Sequence, residues 1–426
     1  MLRKTIGGTL ALMFVLGTLS GCANTTSAPE NGGVESIGDT ENAESAESGK
    51  KEVTLWHALT DEEVDRVESY AELFNEQSQK ANVKLVYTPR DEMIKKLTIG
   101  NIAGDMADMV LLDNPFNAEF AASGVLEDLT EYYNAWDENQ FLEGPLSSAT
   151  YNERIYGLPY CCNCIALFYN EDMMEEAGVE VPETWEELKT SARELTNDEH
   201  FGFALCGTKD EEGAFQILPF INSAGGDINS LGSQGSIEAV QLIGDMILEG
   251  SISKEIMNWS QADVEKQFVA GNCAMMINGV WQVDTIKKDN PDLKWNVAYI
   301  PVSNTGKNAT ELGGENLCVT KGADVEACWE FVSWICGKEI SPKFCKEMSR
   351  FSARSDVKNE EWFEDEVILF FANYMKDTYA RVHPRWTECS SALQIACQKV
   401  YSGEATAAEA MKEAQKEVDA INAEGE

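Results

Sequence analysis

From Lys51 onward the sequence alternates between two periodicities, and that alternation limits the folds open to it. EVTLW (52–56) is a short apolar run. TDEEVDRVESYAELFNEQ (60–77) follows it with Val64, Val67, Ala71 and Phe74 on one helical face and with Thr60 and Glu63 spaced as a capping box. VKLVY (83–87), DEMIKKLTIG (91–100), DMVLLD (108–113) and PFNAEFAAS (115–123), stopped by Gly124, continue the pattern. A second series runs through IALFYN (165–170), a helix opened by Thr184 and Glu187, FGFALC (201–206) and SIEAVQLIGDMILEG (236–250). Strand then helix, repeated, implies an α/β fold with mostly parallel sheets flanked by helices. From Ser341 to the end the pattern reads as helical. With 426 residues the chain exceeds what one hydrophobic core supports, so two lobes are expected.

The first fifty residues follow other rules. MLRKTIGGTLALMFVLGTLSGC begins with Arg3 and Lys4, passes through an apolar run from Leu10 to Leu19, and closes on small residues before Cys22. That is the layout of a secretory signal, and the run is shorter than the ~20 apolar residues a membrane crossing needs. LSGC (19–22) resembles the bacterial lipobox, which makes 1–21 the signal and Cys22 the lipidated residue. A lipid with more than one acyl chain there forms a stable membrane tether. Residues 22–50 are rich in Ser, Gly, Asn and Glu, too poor in apolar groups to fold, and read as an acidic spacer. The net charge of −40, from 33 Lys and Arg against 73 Asp and Glu, repels phosphate backbones and excludes nucleic acid as a partner.

GLPYCCNCIALFYN (157–170) carries Cys161 and Cys164 as a C-x-x-C pair, the spacing of a redox centre or of half a zinc site. Redox thiols usually sit at a helix N-terminus, whereas here an apolar strand follows. A zinc site needs further ligands, and the chain offers no second C-x-x-C and only His57, His200 and His383. A structural strand is the simplest reading, with redox and metal roles as alternatives. Setting Cys22 aside, 11 of the 12 cysteines fall in apolar segments and read as small buried hydrophobes.

Several separated strings resemble the family 1 extracellular solute-binding proteins of bacterial ABC importers. VTLWHALTDEE (53–63), DMVLLDNPFNAEFAASGVLEDL (108–129) and YGLPYCCNCIALFYNEDMMEEAGVEVPETWEEL (156–188) carry it. The last holds Pro159, Tyr169, Asn170, Gly178, Pro182, Thr184 and Trp185 in the family order. INSAGGD, FVAGNCAMMINGVWQ, ELGGENLCVT and RFSARSDV add to the likeness. The resemblance implies a two-lobed periplasmic-binding-protein fold of type II with a ligand cleft at the hinge. Lobe one would take 52–160 and 302–337, and lobe two 163–300 and 338–426, with 157–170 on the crossing strand. It implies a receptor that closes on a carbohydrate and delivers it to a membrane permease. The chain is then no enzyme, needs no cofactor or metal, and sits as a monomer on the outer face of the cell membrane.

Sugar recognition needs flat apolar surfaces for ring faces and planar polar groups for hydroxyls. Trp56 and His57 end the first strand, where open α/β sheets place ligands, although Trp56 could equally be core. Asp113 ends the third strand and either accepts from hydroxyls or caps the next helix. Asn163, on the crossing strand, is a cleft-floor amide or a hinge residue. Trp281 resembles the family tryptophan that closes on the sugar, or packs at a helix start. Glu315, after Gly313 and Gly314, is a ligand acceptor or a solvated loop acid, and Arg354 a ligand fork or an ion pair. Phe215, Asn222, Arg385 and Trp386 are weaker candidates. Another small polar solute such as glycerol phosphate, and a secreted glycosidase, are the rival readings. Neither a basic pocket nor a marked pair of carboxylates speaks for them in the sequence.

Overall fold

A computed structural model describes residues 49–59, 62–103 and 106–425. The signal, Cys22, nearly all of the spacer and Thr60 lie outside these residues. Residues 48–426 form one compact unit built on two sheets. The main strands are β1 Lys51–His57, β2 Ala81–Tyr87, β3 Met109–Asp113, β4 Leu158–Asn163, β5 Ile165–Asn170, β6 Phe201–Ala204, β7 Cys273–Gly279, β8 Trp295–Ala298 and β9 Gly313–Val319. The helices that matter below are α1 Glu62–Gln77, α2 Arg90–Ala103, α3 Glu211–Ser223, α4 Gln234–Glu249, α5 Val325–Ile335, α6 Ser341–Glu347, α7 Trp386–Tyr401 and α8 Ala407–Gly425.

The first sheet has the order β2-β1-β3-β9-β4 and the second β8-β5-β7-β6. β1 runs parallel to β2 and to β3, as the first alternating series implies. The expectation of mostly parallel sheets needs correction: β9 is antiparallel to both β3 and β4, and β5 is antiparallel to both β7 and β8. The cause is the path between the sheets. β4 leads into β5 through Cys164 alone, and β9 re-enters the first sheet after the second is built, so these strands meet their neighbours head to tail.

Local rules hold where the sequence shows them. Thr184 and Glu187 make both bonds of their capping box, and Asp210 caps α3 by accepting from the N–H groups of Glu212 and Gly213. β7 is buried along all seven residues, as a strand covered on both faces must be. α1, α5 and α6 cover one face of the first sheet, where Phe74, Phe331, Val332 and Phe344 join Leu55, Leu111 and Leu317. α3, α4, α7 and α8 pack with Phe203, Met275 and Ile277 of the second sheet in a cluster that runs on to Val110 and Leu112 of the first. The C-terminal region is helical with interruptions, including an irregular stretch from 348 to 358 and a short strand Thr378–Tyr379.

Candidate functional site

Three strand ends make the floor of a cavity of about 220 Å³ between the two sheets. β3 ends in Asp113, and the antiparallel register of β9 sets Glu315 opposite it. On the other side of β9, Gly313 faces Asn163, the last residue of β4. The two glycines let these strands approach. A Cβ on Gly313 would stand 2.0 Å from Asn163 Oδ1, and one on Gly314, at φ +115°, would stand 2.2 Å from the Cys161 carbonyl oxygen. The ladder shifts register between Glu315 and Asn316, a bulge of the kind that re-aims a side chain beside a site.

The facing wall comes from the second sheet. Glu211, Glu212 and Phe215 lie in the first turns of α3, where acids suit the positive end of the helix dipole. Glu211 receives Trp386 Nε1 at 2.9 Å and Gln394 Nε2 at 3.0 Å, and Glu212 Oε2 receives the backbone N–H of Gln261 at 2.9 Å. Trp281 follows β7 and folds back over its own strand end, where a Cβ on Gly279 would meet the indole at 2.0 Å. Its ring stacks on Phe215 at 6.2 Å between centroids and 28° between planes, so the wall presents two aromatic plates.

Five carboxylates and three guanidiniums line the cavity, and each guanidinium already faces an acid. Arg90 Nε lies 2.6 Å from Asp113 Oδ2, and Arg350 Nη2 lies 2.6 Å from Glu63 Oε1. Arg381 stands 3.7 Å from Glu211 and 3.8 Å from Glu311, with its Cζ 4.5 Å from the Phe215 centroid. Burial pushes the Glu315 carboxyl up to about 7, an effect that the acids Asp113 and Glu63 add to and that Arg350 and the Cys161 thiol oppose. Asn163 is buried, and its Oδ1 has no hydrogen-bond partner among the described residues. An amide acceptor, carboxylate acceptors and aromatic plates together suit a ligand that offers several hydroxyls.

Asp113, Asn163, Phe215, Trp281 and Glu315 therefore converge on the cavity. The other six sequence candidates sit elsewhere, and of these Arg385 pairs with Glu388 at 2.8 Å and with Glu424 at 3.1 Å. Trp56 joins the core with Lys96 Nζ 5.2 Å from its ring, and His57 is 2% exposed, its pKa lowered by burial. Asn222 gives its amide N–H to Glu311. Arg354 is fully buried, forks onto Asp356 at 2.8 and 3.1 Å and donates to the Cys336 carbonyl at 3.0 Å, which is an ion pair within its own loop. Trp386 reaches the site through Glu211, which accepts from its Nε1, and through Arg381, whose Cζ lies 5.7 Å from its ring.

Sequence reasoning missed Arg90, Glu211, Glu212, Arg350 and Arg381. The signal was near: Arg350 opens the string RFSAR whose second arginine was chosen, and Arg381 stands four residues before Arg385. Which of two arginines four residues apart faces a cleft depends on the turn between them, and spacing does not encode that. The thiols of Cys161, Cys162 and Cys164 are buried, and burial raises the pKa of each. They lie along β4 and its exit, and Cys161 donates to Glu315 Oε2 at 3.2 Å. Among the described residues no group of His, Cys, Asp and Glu is placed to hold a metal ion.

The profile of the bacterial extracellular solute-binding protein family matches residues 69–371. A binding protein of Brucella abortus is 26% identical over 394 residues, covering 89% of this chain and 95% of its own. The maltotriose-binding protein of Pyrococcus abyssi is 23% identical over 350 residues, covering 78% of this chain and 74% of its own. Among solved structures, an ABC transporter solute-binding protein of Thermotoga lettingae bound with α-D-tagatose superposes with a TM-score of 0.78 at 26% identity, over 87% of this chain and all of that one.

Proposed function

Because the chain belongs to the bacterial extracellular solute-binding proteins, a family of receptors with the type II binding-protein fold, we propose that its cleft takes a neutral carbohydrate. The observation that carries this reading is the pairing of the Trp281 and Phe215 plates with Asp113, Asn163 and Glu315 across one cavity. The rings offer apolar faces to C–H groups, and the polar side chains meet hydroxyls that would otherwise be desolvated without a partner. The committed arginines weigh against glycerol phosphate. An anion entering here would have to draw a guanidinium away from its carboxylate, in a chain of net charge −40.

The same reading assigns the two sheets to two lobes, 52–160 with 302–337 and 163–300 with 338–426, and moves α6 to the first because Phe344 and Cys345 pack there. Closure of the lobes on the sugar is the signal a permease reads. Lipidation at Cys22 would hold the receptor at the outer face of the membrane.

A thermal-shift screen of neutral mono- and oligosaccharides tests it. A sugar at a hundred times its Kd should add about 2.7 kcal/mol of stability. Trp281→Ala should weaken that sugar by a few-fold, since stacking on an aromatic ring contributes about 1 kcal/mol beyond buried area and the contact of Arg350 with the same ring offsets part of it. Stabilisation by glycerol phosphate and by no sugar would replace this reading with the charged-solute one. Appearance of cleaved oligosaccharide would bring back the glycosidase.

A further inference from the structure

Arg350 and the residue before it hold both walls of the cleft. Ser349 is a non-glycine residue at φ +50°, and its Oγ donates to Asp284 Oδ2 at 2.6 Å, on the helix that follows Trp281. Arg350 is 8% exposed, and its backbone N–H is fixed on the Cys345 carbonyl at 2.8 Å. From there the guanidinium reaches Glu63 Oε1 at 2.6 Å, near the start of α1 on the first-sheet side. It donates through Nη1 to the Met348 carbonyl at 3.4 Å. Its Cζ stands 5.6 Å from the ring of Trp281, on the second-sheet side.

One cation thus spans the cleft, bonded to an acid on one wall and held over an aromatic ring on the other. A guanidinium is planar and weakly hydrated, so it stacks on an indole much as a sugar ring does. A ligand ring stacking on that face of Trp281 would therefore meet a group of the protein itself.

We propose that Arg350 sets the affinity of the cleft by acting as its internal occupant, tying Glu63 to Trp281 across the ligand-free site and giving up the indole when a ligand enters. The displacement step rests on the carbohydrate reading above, whereas the tie does not. A ligand ring that stacks on Trp281 gains only the difference between its own contact and that of the guanidinium. The acid remains as a resting place for the displaced side chain, because Glu63 lies on the other wall. Selectivity follows as well: a ligand too small to cover the indole cannot replace what it removes.

The test uses the full chain in three forms: wild type, Arg350→Met, which keeps a flexible apolar side chain beside the indole, and Glu63→Gln, which removes the charge of the acid and leaves Arg350 in place. Small-angle scattering of the ligand-free proteins should show a larger radius of gyration for both variants. Amide exchange should rise at 279–282 and 313–316. Profiles and exchange that superimpose on wild type in the variants that fold would overturn the tie. Maltotriose and D-tagatose serve as binding probes. The displacement step predicts that whichever binds wild type binds Arg350→Met about tenfold more tightly, and weaker binding would show Arg350 to be a direct ligand contact and overturn that step. Should neither sugar nor any other neutral sugar bind, the carbohydrate reading fails, while the scattering comparison still decides the tie.

Discussion

Glu311 carries its carboxyl at 1% exposure, accepts the Asn222 amide and faces Arg381 Nε at 3.8 Å. Burial raises its pKa from the ordinary 4.5 to about 8, against the pull of Arg381 and Asn222. The folded protein therefore holds a proton that the unfolded chain has lost between pH 4.5 and 8. Its contribution to stability is full below that window and falls as pH rises through it, and Glu315 acts in the same direction up to about pH 7. Glu311→Gln should flatten the dependence of melting temperature on pH, matching wild type near pH 5 and exceeding it at pH 9. A wild type that gains on the variant as pH rises would sink the assignment. At this scale the sequence was half legible. Asp113 and Asn163 could be read as the last residues of β3 and β4, and Glu315 from the two glycines before it, although the same strand-end reasoning failed for His57. Arg350 and Arg381 could not, since each sits in irregular chain, and Arg350 directly follows the positive φ of Ser349.

At the scale of elements the alternating pattern located β1 to β3, the helix capped by Thr184 and the crossing strand, because hydrophobic period and caps are local properties. Strand direction was not legible. β9 looks like any apolar run, and only the long path that precedes it makes it antiparallel to both neighbours. The Gly313–Gly314 pair that opens β9 is where this element is most exposed to change. Gly314→Ala puts a Cβ at φ +115° against the Cys161 carbonyl oxygen and should cost about 2 kcal/mol or more. Gly144 lies in a short helix with its nearest neighbour 3.8 Å from an added Cβ, so Gly144→Ala should leave stability unchanged or slightly raised. Urea midpoints of the two variants decide the point, and equal midpoints would mean that the strand approach tolerates a side chain.

At the scale of the whole molecule the described cysteines form a reporter. All eleven are buried, and they are spread over the cores of both sheets, so no local opening frees them together. A thiol reagent should find at most one group in the native full chain, that of Cys22, and the remaining eleven only under denaturant. Several thiols reacting without denaturant would contradict the burial of these cores. The lipid and the permease were legible as a resemblance and remain part of the proposal, and the lipobox lies outside the described residues. The order of strands has a further consequence for synthesis. The second sheet uses residues 165 to 298 without interruption, whereas the first needs β9, at 313–319, between β3 and β4. A chain emerging from its N-terminus can finish the second sheet while the first still has two naked strand edges awaiting their shared partner. Until residue 319 is out, the nascent polypeptide carries unpaired strand edges of the kind that pair with other chains.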